Sequence, residues 1–73
     1  MNEQKVLILK SNIESHSDLL RVRDPLDTHP GIRHWNIDIE DCDHVLRVVT
    51  SELTVADIEA LVRENGYVCS ELD

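Results

Sequence analysis

Residues with chemical potential gather at two places in this chain. One is Asn12-Ile13-Glu14-Ser15-His16-Ser17-Asp18, which sets hydroxyls, an imidazole and carboxylates between an apolar run and a helical pattern. A strand-to-helix turn of that kind presents side chains together with free helix-start amides, a setting that suits ligands and chemistry. The other is Asp41-Cys42-Asp43-His44, a thiol and an imidazole in a short acidic turn. Ser15, His16 and Asp18 have the residue types of a nucleophile triad, but working triads converge from separate elements. No catalytic residue is therefore assigned, and no enzyme is expected. Imidazole and thiolate together suit zinc or copper, which makes His16, Asp18, Cys42 and His44 the candidate metal ligands. Asp38, Glu40, Asp41 and Asp43 lack EF-hand spacing and read as a solvated acidic edge. His29 and His34 read as surface residues.

The elements that must position these groups follow from apolar periodicity. Residues 5–10, with Val6-Leu7-Ile8-Leu9 at their centre, predict a short strand. Leu19, Val22 and Leu26 recur at helical spacing, and Ser15 with Asp18 three residues on resembles a capping box. Pro25 inside that helix predicts a kink or a break, and His29-Pro30-Gly31 ends it. Residues 32–40 alternate, with Trp35, Ile37 and Ile39 on one face. Asp41-Cys42-Asp43 is a turn, and residues 44–50 form a second strand with Leu46 and Val48 inward. Thr54 and Asp57 repeat the capping box before a stripe of Val55, Ile58, Leu61 and Val62. Gly66 supplies a left-handed helix end, and residues 67–70 make a last strand. The order βαββαβ predicts an α+β, ferredoxin-like sandwich: one antiparallel sheet with two helices on one face.

Composition bounds the function. Seventy-three residues make one domain, 1–73, near the lower limit for a single core. With no Phe, one Trp and one Tyr, that core rests on Val, Leu and Ile, and stability on the order of 3–5 kcal/mol is expected. A formal net charge of −8 argues against nucleic acid and against anionic membrane surfaces. No stretch approaches the roughly 20 apolar residues of a membrane span, and the first residues do not read as a signal peptide. The expected location is cytoplasmic, where Cys42 and Cys69 stay reduced.

Taken together, these residues resemble the heavy-metal-associated (HMA) family of small copper chaperones and metal-ATPase modules. Ile13 stands where the family has the Met before its metal loop. Val22 and Leu26 match first-helix core positions, and Pro30-Gly31-Ile32 matches a helix-ending Pro-Gly-Val. Trp35, Ile37 and Ile39 match the second-strand core, and Gly66-Tyr67 matches the Gly-Tyr pair before the last strand. The resemblance implies the strand order 4-1-3-2. It also implies a Met-x-Cys-x-x-Cys metal clamp, and here this sequence departs from the family. Counted from Ile13, the two cysteine positions fall on Ser15 and Asp18. A neutral hydroxyl and a hard carboxylate do not replace two thiolates for a soft metal. The fold carries over and the clamp does not, so no cofactor is expected.

Two functional readings stand. One is a non-catalytic, HMA-like module that has lost thiolate metal binding and works through a protein partner or as a homodimer. If Leu7, Leu9, Trp35, Ile37, Leu46 and Val48 fill the core, Val6, Ile8, Val45 and Val49 are left as an apolar patch on the open sheet face. The alternative is a transition-metal ion bound by altered ligands near His16, Asp18, Cys42 and His44. Those groups share one end of the sheet, but the hairpin joins its far edge, a strand spacing or more away. The same reasoning separates Cys42, an exposed hairpin thiol, from Cys69, a partly buried one in the opposite edge strand.

Overall fold

A computed structural model describes residues 3–72. In chain order its elements are β1 (Lys5–Ser11), α1 (His16–Thr28), β2 (His34–Asp38), β3 (Val45–Thr50), α2 (Val55–Glu64) and β4 (Cys69–Glu71). The strands form one sheet in the order β2-β3-β1-β4, with every neighbouring pair antiparallel. This is the expected ferredoxin-like arrangement. The register sets Val6 opposite Val49, Leu7 opposite Val48 and Leu9 opposite Leu46. Alternate residues therefore share a face. Leu9, Leu46 and Val48 pack with Val22 and Leu26 from α1 and with Ile58 and Val62 from α2. Both helices thus cover the same side of the sheet, and each fully buried aliphatic side chain contributes about 1.5–3 kcal/mol.

Both helix starts are set locally. Ser15 caps α1 and Thr54 caps α2, each closing a complete capping box with an Asp three residues on. The first helix consequently begins at His16, three residues before the apolar spacing at Leu19 indicates. It also runs unbroken through Pro25, where a kink or break was expected. Val22 and Leu26 are both buried on either side of the proline, and that packing outweighs the single missing N–H. At the helix end, the Thr28 hydroxyl donates to the Asp24 carbonyl at 2.8 Å. Gly66 follows α2 at φ +90, the left-handed conformation that glycine adopts without strain. A Cβ at Gly31 would come within 2.9 Å of the Leu53 side chain, which would have to shift to make room.

The open face of the sheet differs from expectation at one residue. Val6 is 54% and Ile8 41% exposed, and Val49 is half-buried, but Val45 is only 4% exposed. Val45 lies in an interior strand, opposite Asp38, where the β2–β3 hairpin closes. There the His44 amide donates to the Asp41 carbonyl at 3.1 Å, and the His44 ring lies 3.1 Å from the Ile39 carbonyl. The turn folds back on itself instead of continuing β2 through Glu40, and Val45 is enclosed.

Candidate functional site

The turn into α1 is pinned on three sides. Asn12 exchanges hydrogen bonds with Val68: its amide donates to the Val68 carbonyl at 3.2 Å, and its side chain accepts from the Val68 amide at 2.9 Å. The Ser11 hydroxyl donates to the His44 carbonyl at 2.7 Å and accepts from the Ile13 amide at 3.2 Å. Ile13 is fully buried, which fixes the chain just before the cap.

Within this frame Ser15 and Asp18 are occupied by the backbone. The Ser15 hydroxyl accepts from the Asp18 amide at 3.1 Å. Asp18 Oδ2 accepts from the Ser15 amide at 3.1 Å and the Glu14 amide at 3.2 Å. Asp18 Oδ1 accepts from the Tyr67 hydroxyl at 2.7 Å. That Tyr67 bond, followed by the Glu14 amide, holds the Asp18 carboxyl down from 3.8 to about 2. The reciprocal effect raises the Tyr67 hydroxyl, chiefly through the same bond. A soft metal of the kind the HMA resemblance implies does not fit here. The donors at these positions are a neutral hydroxyl and a hard carboxylate already committed to capping.

The remaining candidates spread along the same end of the sheet. His16 is exposed at the first position of α1, and Cys42 is exposed in the hairpin. His44 is half-buried, with its Nδ1 on the Ile39 carbonyl and its Nε2 at 3.6 Å from Glu14 Oε2. Among the described residues, no three His, Cys, Asp or Glu side chains converge as a metal-holding group.

The two cysteines flank the end of β1. Both line an open groove of about 380 Å³ together with Lys10, Asn12, Asp43 and Val68. The hairpin reaches β1 because the Ser11 amide donates to the Asp43 carbonyl at 3.0 Å. Ser11 in turn pairs with Cys69 on its other side. Both thiols are free. Burial, reinforced by Glu59, pushes the Cys69 thiol up to about 11, so it is a poor thiolate at neutral pH.

Sequence reasoning missed Glu14, Ser11 and the role of Tyr67. Ser11 and Glu14 flank the turn without altering any periodic pattern. Tyr67 carried the usable signal: an aromatic hydroxyl directly after the helix-ending Gly66, at the end of the sheet where Asp18 lies.

The same backbone occurs in solved structures. Oxidized MerP from Ralstonia metallidurans CH34 superposes with a TM-score of 0.81 at 12% identity, over 97% of this chain and 100% of that one. The apo HMA domain of the copper chaperone for superoxide dismutase gives 0.83 at 19% identity, over 100% of this chain and 71% of that one. The CsoZ metallochaperone gives 0.77 at 17% identity, over 93% and 99% respectively. The fold is that of HMA domains. No family model and no curated protein matches the sequence, and identities this low speak for fold alone.

Proposed function

We propose that this chain is a single, non-catalytic HMA-like unit that has given up the thiolate metal clamp and works in the cytoplasm through protein contact. The observation that carries this reading is the commitment of Ser15 and Asp18, the residues at the clamp positions by sequence resemblance, to capping α1 and to Tyr67. An exposed strip of Val6 and Ile8, with Val49 beside them and Arg47 held by Asn36 at 3.2 Å, supplies an apolar surface on the open face. A net charge of −8 turns that contact toward proteins and away from nucleic acid. The two free thiols fit a reducing compartment. No helix among the described residues is long and apolar enough to cross a membrane.

Copper(I) competition against a chromophoric chelator tests the first half. The wild type takes no copper(I) from the chelator, and the double variant Ser15→Cys, Asp18→Cys does. Stoichiometric uptake by the wild type would sink the reading. Sedimentation and partner capture compared between the wild type and Ile8→Lys test the second half. Loss of self-association or of captured partner in Ile8→Lys supports contact through the open face. Identical behaviour of the two proteins removes that face as the contact surface. Val45 is unsuitable for this purpose, because a lysine at a buried position destabilises the hairpin.

A further inference from the structure

The acids of this chain avoid one surface. Fifteen Asp and Glu residues are present, yet the four strands carry only Asp38 and Glu71. Glu71 pairs with Leu9 and so takes the helix side of the sheet. Asp38 is therefore the one strand acid on the open face, at its corner beside the hairpin, and Lys10 and Arg47 are its companions in charge. The other described acids lie on the helices, in the turns or before β1. A face with two cations and one acid is close to neutral, on a molecule of net charge −8. Its centre is apolar, with exposed Val6 beside Val49 and exposed Ile8 beside Arg47. Arg47 donates to Asn36 at 3.2 Å, which draws its guanidinium toward β2 and leaves its stem over the sheet.

On the reading that the open face is the contact surface, we propose that its occupant is a second copy of this chain, packed sheet on sheet. Two copies meeting on their helix sides bring acid against acid, because α1 and α2 together carry six Asp and Glu against three Arg. The open faces meet without that repulsion. A two-fold axis parallel to the strands, midway between β1 and β3, sets Val6 over Val49 of the second copy and Ile8 over its Arg47 stem. Asp38 then falls over Ser70 of the other copy, and no cation faces a cation. Sheets stacked in this way lie about 10 Å apart, a gap that side chains of this size fill. A contact between faces of such short strands belongs to the weak class, below about 1,200 Å² in total, so the dimer is reversible and depends on concentration.

Sedimentation of the full chain over a range of concentrations, at about 0.01 and about 0.15 M salt, provides the test. The expected mass rises from 8.4 kDa toward the dimer with concentration. Association tightens at the higher salt, where the repulsion between two acidic bodies is screened. Arg47→Glu puts an acid at the centre of the contact and weakens association by at least roughly tenfold. Arg63→Glu makes the same charge change at an exposed position of α2 and leaves association as in the wild type. Isotope-filtered NOE spectra of mixed labelled and unlabelled wild type connect Val6 of one copy to Val49 of the other, a readout that needs no variant. A chain that stays monomeric at millimolar concentration overturns the proposal. Capture of another protein through Ile8 by that monomer keeps the open face as a contact surface while removing the second copy as its occupant. Association that weakens with salt, that ignores Arg47→Glu, or that responds equally to Arg63→Glu overturns the dimer as well.

Discussion

Asp18 is the residue on which the turn depends, because one carboxylate accepts from two amides and from a tyrosine 49 positions away. Its depressed acidity has a definite linkage sign. A carboxyl held below its ordinary value stabilises the fold once the unfolded chain is ionised, above pH 3.8, and that contribution is lost as pH falls toward about 2. Asp57, lowered chiefly by the Thr54 amide, acts in the same direction at the second helix. Asp18→Asn should therefore lower stability at neutral pH and flatten the acid side of the stability curve, as measured by chemical denaturation across that window. Tyr67→Phe removes the largest cause of the shift. Carboxyl carbon NMR should then show Asp18 titrating nearer its ordinary range, and an unchanged midpoint would mean that the two capping amides alone set it. Phe at this position keeps the ring, so the change reports the hydroxyl.

Among the elements, α1 is the one whose sequence and structure disagree most. Pro25 lies within its 13 residues, where it removes a backbone donor, yet the helix continues because Val22 and Leu26 are both anchored in the core. Pro25→Ala restores that donor to the Arg21 carbonyl, and it also loosens the unfolded chain. The net expectation is stabilisation by about 1–2 kcal/mol in thermal or urea unfolding, with no change of fold. A loss of stability would show that the proline ring itself fills necessary space against the sheet. The β2–β3 hairpin has the opposite character. Asp38 Oδ1 accepts from the amides of Glu40 and Asp41 at 3.2 and 3.3 Å, which ends β2 early and starts the turn that His44 closes. This local bonding explains why Ile39 leaves the strand although its alternation with Ile37 is intact.

At the scale of the whole molecule, charge opposes compactness. Fifteen acidic residues face seven Lys and Arg, and the exposed Arg23–Asp27 pair at 3.6 Å offsets little of that imbalance. Raising salt from about 0.01 to about 0.15 M shortens the screening length from about 30 to about 8 Å. The melting temperature should rise over that interval, and a fall would show that attractive pairs outweigh the repulsion. The sequence by itself determined what depends on neighbours a few positions apart. Both capping boxes, the left-handed Gly66, the inward alternation of Leu9, Leu46 and Val48, and the resulting βαββαβ order all rest on local bonding or on a period. Only the tertiary structure decided what depends on ladder register and hairpin closure. Tyr67 meets Asp18, Glu14 meets His44, Cys42 and Cys69 share a groove, and Val45 is enclosed. Contacts between residues this far apart in sequence are fixed by where the strands cross and how the turn folds back, and apolar patterning encodes neither.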